Sequence, residues 1–250
     1  MTAHYGEPTM RLFFSACLAA LFLVAAPAQA TGRQTAYGYA WADGAGRLRI
    51  TPVSASLTER DGIPFHSLEA IPGARELKLA YGGADFRRLT AECDLKETEG
   101  RLAVDRKGLG KTRCTPKDLA RRLAFGPAPV RVVHDGTKAV QVREFLPAKY
   151  YTRTLRGTIR RVDGDTIAVK GVELTHTWRL TFNRVTATCG AGWLTGKPVN
   201  ADDDGLGTKG CTSEDFARVL RQVEHPVLAV VTYNPFSREL LSVWEVFGDA

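Results

Sequence analysis

Four of the five cysteines most directly indicate chemistry by their number and spacing: Cys93, Cys114, Cys189 and Cys211. The fifth, Cys17, lies in the apolar N-terminal run at 12–26, which is predicted to be removed. A zinc site is disfavoured because no pair has the short C-x-x-C spacing. Four cysteines allow three disulfide pairings. Only Cys93 with Cys114 and Cys189 with Cys211 gives the same bridge in both halves of the chain. Each bridge would close a loop of about 22 residues and stabilise the fold by roughly 3 kcal/mol.

A short acidic segment could bind a cation. Asn200, Asp202 and Asp204 offer oxygen donors at alternate residues before Gly205, as in the first half of a calcium loop. Position twelve of such a loop is Cys211 rather than the usual bidentate glutamate. The segment therefore fits a weak calcium site or a solvated acidic turn. We predict no other cofactor.

The positive charge of the chain is unevenly distributed. Residues 31–151 carry 21 Lys and Arg against 14 Asp and Glu, whereas residues 152–250 carry 12 of each. Such an excess attracts polyanions, including nucleic acid, acidic wall polymers and anionic lipid surfaces, and a solvated basic face is the alternative. The candidate polyanion-binding residues are Arg106, Lys107, Lys111, Arg113, Lys117, Arg121 and Arg122.

Sequence patterns of known catalytic sites are absent. The chain contains no G-x-S-x-G and no H-E-x-x-H, and pairing of the four cysteines leaves no free thiol in the predicted mature chain. His66, His134, His176 and His225 each lack a histidine at the matching position of the other half. We therefore predict that the protein is not an enzyme.

Two stretches of the chain repeat the same residues in the same order. The offset is 96 residues up to the first cysteine of each copy and 97 after it, so one single-residue gap aligns them. Because both copies keep these residues, the shared set reports what the fold requires. The matching pairs include Phe86 and Phe182, Arg88 and Arg184, Gly108 and Gly205, Asp118 and Asp215, and Arg121 and Arg218.

The second copy predicts five strands and one helix. Strands are expected at 155–162, 166–172, 177–188, 227–233 and 240–247, and Thr212 with Asp215 marks a helix start. In the third strand, Trp178, Leu180 and Phe182 alternate with polar residues and should face the core. A helix between the third and fourth of five strands is the order of the OB-fold. We predict a mainly β protein of tandem OB-like five-stranded barrels, each with one disulfide.

The same plan fits the first copy and sets the domain boundaries. Its strands are expected at 35–41, 47–53, 76–92, 130–134 and 139–145. It carries an additional segment at 54–75, which we expect to be an irregular exposed loop. The resulting division is a first repeat at 31–147, a linker at 148–154 and a second repeat at 155–250.

The N-terminus predicts export. An apolar run at 12–26 follows Arg11, and Ala28-Gln29-Ala30 is a small-x-small cleavage pattern, so residues 1–30 form a predicted signal peptide. The start is at Met1 or Met10. We expect no membrane span after cleavage and a secreted, periplasmic or cell-envelope location, where disulfides form.

One short stretch carries a family resemblance. Residues 158–185, with Asp163-Gly164-Asp165-Thr166 in a hairpin and Arg179 in the third strand, resemble the first three strands of staphylococcal nuclease and its relatives. In that family the aspartate matching Asp165 helps to bind calcium. The other two carboxylates of the family's site fall at Arg184 and Ala187 here. The resemblance therefore implies the OB-fold without the nuclease site.

The sequence is compatible with three functions. The first is an exported, non-enzymatic protein that binds a polyanion or a cell-envelope partner through the basic first repeat. The second is a secreted inhibitor or adaptor that docks on an extracellular protein through residues 63–71. The third is a divergent nuclease-like hydrolase. The sequence favours the first because of its charge asymmetry.

Overall fold

The structure, a computed structural model, describes residues 1–2, 32–190, 199–222 and 227–247. The predicted signal peptide lies almost entirely outside these residues, as do His225 and Pro226. The first repeat contains β1 Gln34–Ala42, β2 Arg47–Ile50, β3 Val53–Arg60, β4 Ile63–Ala70, β5 Leu77–Ala80, β6 Asp85–Arg88, β7 Thr112–Cys114, α1 Pro116–Ala124, β8 Ala128–Asp135 and β9 Lys138–Glu144. The second contains β10 Arg153–Arg161, β11 Thr166–Val169, β12 Val172–Arg184, β13 Lys209–Cys211, α2 Ser213–Arg221, β14 Val227–Tyr233 and β15 Glu239–Glu245.

The second repeat is a closed five-stranded barrel. Its strands pair in the circular order β10, β11, β12, β15, β14 and back to β10, with β12 and β15 parallel and the other pairs antiparallel. This is the order of an OB-fold, with α2 placed between the third and fourth barrel strands. Alternate strand residues such as Ile167 and Val169 fill the barrel, and α2 adds Phe216, Val219 and Leu220. The predicted fold is confirmed.

The first repeat closes in the same way, with one break. Its barrel order is β1, β2, β5, β9, β8 and back to β1. The third strand, predicted to be continuous over 76–92, is divided into β5 and β6 by a turn at Gly82-Gly83, where the Ala84 amide donates to Tyr81. Both pieces pair with β9.

The inserted segment is ordered, so the prediction of an irregular loop at 54–75 is wrong. Strands β3 and β4 form an antiparallel hairpin that extends the sheet from β1. Asp61 and Gly62 make its turn with φ of 53° and 74°. The segment 63–71 is therefore mostly strand β4, and His66 and Leu68 within it are buried.

A bulge overturns the prediction for Trp178. The register between β12 and β15 shifts between His176 and Thr181, and this shift breaks the period-two alternation. Leu180 and Phe182 face the core as predicted, but Trp178 is turned outward and is 63% exposed.

Both predicted disulfides are present. Cys93 bonds to Cys114 and Cys189 bonds to Cys211, each with 5.7 Å between Cα atoms. In each repeat the bridge ties the loop after the third barrel strand to the short strand that precedes the helix.

The two repeats contact each other along their sequence junction. Tyr151 of the predicted linker accepts a hydrogen bond from the Leu68 amide of the hairpin and packs edge-on against Phe236 of the second repeat. The Trp41 indole donates to the Ser237 carbonyl at 2.7 Å. Surfaces that lie between the repeats can therefore hold a site built from both.

Candidate functional site

The recurring strand arginine lies in the core of the second repeat. Arg184 is fully buried, and its guanidinium donates to Glu245 Oε1 from Nε and Nη2 at 2.8 and 2.6 Å. It also donates to the carbonyl of Cys189. The second oxygen of Glu245 accepts the Val185 amide at 2.9 Å. The pair thus anchors the disulfide loop to the last barrel strand.

The first repeat has an equivalent arginine–glutamate pair, with a second arginine bound to the same glutamate. Arg88 Nε lies 3.5 Å from Glu144 Oε2, and its Nη1 donates to the carbonyls of Cys93 and Leu95. Glu144 also accepts from Arg122 Nε at 3.1 Å. Burial lowers the pKa of the Arg122 guanidinium, and Glu144 opposes that shift. Both recurring strand arginines are therefore structural.

The recurring Thr, Asp and Arg around each helix form matching end caps. In the first repeat the Thr115 hydroxyl accepts the Asp118 amide, and the Asp118 carboxylate accepts the Thr115 amide. Thr212 and Asp215 repeat this capping box. The hydrogen bonds from Thr115 hold the pKa of Asp118 below its ordinary value, and those from Thr212 do the same for Asp215. Arg121 and Arg218 pair with these aspartates one turn later.

Each repeat contains a Gly-Leu-Gly triplet, at 108–110 and 205–207, and close backbone packing explains both. Gly108 and Gly205 have φ of 67° and 73°. A Cβ on Gly110 would lie 2.5 Å from the backbone of Arg88, and one on Gly207 would lie 2.5 Å from the backbone of Arg184. Glycine is needed at both approaches.

Two of the three candidate calcium residues make hydrogen bonds within the protein. Asp202 Oδ1 accepts the amides of Asp204 and Leu206 at 3.1 and 2.7 Å, as Asp105 Oδ1 accepts those of Lys107 and Leu109. Asn200 donates to the Thr186 carbonyl. Asp202 thus holds the turn through one carboxylate oxygen, and Asn200 ties it to the segment after β12. Asp202, Asp203 and Asp204 are all exposed.

The basic residues of the first repeat divide into two groups. Among the described residues, no carboxylate lies within 4 Å of the charged groups of Arg106, Lys107, Lys111 or Lys117, and all four side chains are exposed. Arg113 is 81% exposed and lies 3.5 Å from Asp85. We call these five residues the basic surface.

Two of the predicted residues do not belong to the basic surface. The Arg122 side chain is only 20% exposed and turns inward to Glu144. It is therefore not a solvent-facing cation, contrary to the prediction. Arg121 is half exposed, and its charge is balanced by Asp118 at 2.5 Å. Sequence alone missed the inward turn because the partner glutamate lies on a distant strand.

The equivalent positions of the second repeat reverse the charge. With the offset of 97 residues, Arg106, Lys107 and Lys117 correspond to Asp203, Asp204 and Glu214. Lys111 and Arg113 correspond to Thr208 and Gly210. The isolated bridges of Val104 with Gly110 and Ala201 with Gly207 show that the two turns have the same pairing. One backbone thus carries opposite charges in the two repeats.

The residues of the nuclease resemblance do not assemble a carboxylate cluster. Asp165 is 76% exposed and lies 3.8 Å from His176 Nε2. Arg179 donates to both oxygens of Glu239, and Arg184 is buried in the core. Ala187 offers no ligand atom.

The histidines and disulfides also provide no metal centre in the described part of the chain. Burial lowers the pKa of His66 and of His176. Two groups of possible metal ligands occur within the described residues, each made of one disulfide and the helix-capping aspartate. Oxidised cysteines offer no thiolate, so neither group is a ligand set as it stands.

Comparisons with known proteins add no family. The chain matches no protein-family model, no curated protein and no solved structure. The two disulfides fit an oxidising environment. Within the described ranges, no helix is both long and apolar enough to cross a membrane.

Proposed function

We propose that this is an exported, non-enzymatic binding protein whose first repeat contacts a polyanion through the basic surface. The observation that carries the proposal is the charge reversal on an otherwise equivalent turn. Because the second repeat folds with Asp203, Asp204 and Glu214, the fold does not require cations at these positions. Their presence at Arg106, Lys107 and Lys117 is better explained by a ligand.

The geometry of the basic surface suits a polyanion. Arg106 and Lys107 lie in the turn held by Asp105, and Lys117 lies in the first turn of α1. Unpaired, exposed cations can each release a condensed counterion from a phosphate or sulfate chain. Cations already neutralised by a carboxylate, such as Arg121, contribute less.

Export is supported by two independent features. The N-terminal sequence has the charged, apolar and small-residue regions of a signal peptide. Both bridges persist best in a secreted, periplasmic or cell-envelope location, which we include in the proposal.

The alternative of docking through 63–71 loses its main support. That segment lies largely in strand β4 with His66 and Leu68 buried, so it does not present a free loop. The matched residues of the nuclease resemblance form no carboxylate cluster, so the described part of the chain gives the hydrolase alternative no support. Polyanion binding is therefore the proposed function.

A neutralisation series tests the proposal. Residues 31–250 are titrated into fluorescent single- and double-stranded DNA and a sulfated polysaccharide across a salt series, with anisotropy as the readout. The test variant is Lys107→Gln, Lys111→Gln, Arg113→Gln and Lys117→Gln. The control changes four exposed cations of the second repeat: Arg153→Gln, Arg160→Gln, Arg161→Gln and Lys209→Gln.

The two variants have the same net charge, so they separate a local surface from overall charge. We expect the test variant to lose about 1 unit of salt slope for each cation that contacts the polyanion, and the control to lose less. Equal slopes for wild type and test variant with every polyanion tested, or no binding to any of them at low salt, would reject the proposed function.

A further inference from the structure

A cleft of about 230 Å³ opens between the two repeats. The first repeat contributes the end of α1 and the loop after Cys93, and the second contributes the bulged part of β12. The lining includes the cations Lys96, Arg121 and Arg179 and the aromatic residues Phe125 and Trp178.

Two exposed aromatic rings line this cleft. Trp178 is 63% exposed and Phe125 is 38% exposed. The Trp178 indole N–H donates to the Phe125 carbonyl at 3.2 Å, which links the indole to the end of α1. The equivalent positions of the other repeat are Gly82 and Gln222, so the barrel does not need these rings. An aromatic held outward beside a cavity is available to stack on a ligand.

Guanidinium groups border the rings. Arg121 Nη2 is bonded to Asp118, and Arg179 bonds Glu239 through Nε and Nη2. The Nη1 of each makes no hydrogen bond to the described residues, so two N–H edges remain available. Phe125 also has the Lys96 ammonium 5.6 Å from its ring centroid.

The cleft itself is only weakly charged. Its lining includes five cationic side chains and three carboxylates, and Glu144 and Glu239 neutralise Arg122 and Arg179 from behind. Net charge alone would therefore not select a ligand here. Selection would come from a planar ring with an anionic group at its edge.

The cleft and the basic surface share helix α1. Lys117 lies one helical turn before Arg121 on α1, so the two side chains share a face. A chain that follows the basic surface along α1 would reach Arg121 and then the rings.

We propose that the cleft binds one nucleotide of a single-stranded nucleic acid. The base stacks on Trp178 beside Phe125, and its phosphate accepts from the Nη1 groups of Arg121 and Arg179. This inference rests on the proposed function and names its ligand class. A duplex keeps its bases stacked on one another, and a sulfated polysaccharide has no aromatic ring. Only a single strand presents both a free ring and a phosphate.

Substitution of the stacking ring tests the inference. Anisotropy titrations use a single-stranded oligonucleotide, its duplex and a sulfated polysaccharide with wild type, Trp178→Ala, Trp178→Phe and the control Phe247→Ala. Phe247 is an exposed aromatic, 51% accessible, that does not line the cleft. Thermal melting verifies that each variant is folded.

We expect Trp178→Ala to weaken single-strand binding by at least about fivefold, the lower end of base–aromatic stacking. Trp178→Phe should retain most of the affinity, and duplex and polysaccharide binding should not change. Undiminished single-strand binding in folded Trp178→Ala, or the same loss for all three polyanions, would overturn the inference. Either result would leave the proposed function to be tested by the fourfold glutamine variant of the basic surface. The proposed function fails only when binding of no polyanion depends on that surface.

Discussion

The two repeats share one backbone plan and differ in what they place on it. Each has a five-stranded barrel, a disulfide, a capping box and a buried arginine–glutamate pair. The first adds the β3–β4 hairpin and the basic surface, whereas the second has acidic or uncharged residues at the same places. The shared features therefore stabilise the fold, and the differences mark the surface to which we assign the proposed function.

The buried arginine–glutamate pairs give the largest expected effect among the features that the two repeats share. Arg184→Met leaves Glu245 buried with only the Val185 amide among the described residues, and we expect a loss of about 3–5 kcal/mol. Arg88→Met leaves Glu144 bonded to Arg122 and the Leu89 amide, so the loss should be about 2 kcal/mol. Urea unfolding at constant m-value measures both.

A double replacement controls for simple loss of volume. Arg184→Met with Glu245→Leu removes both charges, and we expect it to recover most of the stability. Equal losses for Arg88→Met and Arg184→Met would contradict the role assigned to Arg122.

The two disulfides should contribute equally to the free energy of unfolding. The two bridges span 21 and 22 residues, so the loop-entropy estimate gives about 3 kcal/mol for each. We expect Cys93→Ala with Cys114→Ala to lower the unfolding free energy by the same amount as Cys189→Ala with Cys211→Ala. Denaturant unfolding of the two double variants measures this. A clear difference would show that the bridges play unlike roles.

The capping boxes predict a smaller and equal effect. Thr115→Ala and Thr212→Ala each remove an acceptor for the N3 amide, at a cost of about 1 kcal/mol. Thermal melts of the two variants should therefore nearly coincide. Serine at the same positions keeps the hydroxyl and is the matched control; a serine variant as unstable as the alanine variant would refute the capping assignment.

Acid should weaken both repeats through the same groups. The pKa of Asp118 and that of Asp215 are lowered in the folded state by their threonine caps. A carboxyl with a lowered folded pKa stabilises the fold above its unfolded value of about 3.9, and that stability is lost as pH falls through the folded pKa. Unfolding free energy should fall below about pH 4, and less steeply in Thr115→Ala. Parallel pH profiles would exclude this contribution.

Calcium should have the smallest effect. Asp202 already accepts two amides, so we expect no rise in melting temperature with millimolar calcium relative to magnesium. A rise specific to calcium and absent from Asp204→Asn would establish the second-repeat turn as a cation site.

Local signals predicted much of the fold. The two disulfides, the Thr–Asp caps and the order of strands around each helix all depend on residues close in sequence or on repetition between the copies. The hairpin β3–β4 was missed because its first strand is polar and exposed along most of its length, with no alternation to identify it. Such a strand pairs through its backbone, which sequence patterns do not report.

Long-range partners could not be predicted. Glu245 lies 61 residues from Arg184, and no spacing rule connects them. Trp178 was assigned to the core because period-two alternation assumes a continuous register, and the bulge breaks that register. The cleft that contains Trp178 depends on both repeats, so it follows only from the three-dimensional arrangement.

The most direct test of the central claim exchanges charges between the repeats. One variant carries Arg106→Asp, Lys107→Asp and Lys117→Glu together with Asp203→Arg, Asp204→Lys and Glu214→Lys, so the net charge stays at +7. The measurement is the salt dependence of single-strand binding. We expect the salt slope to fall by about 2 units, since the three cations proposed to contact phosphates are removed and the receiving turn of the second repeat lacks Lys111 and Arg113. An unchanged affinity and slope would show that overall charge, and not the basic surface of the first repeat, accounts for binding.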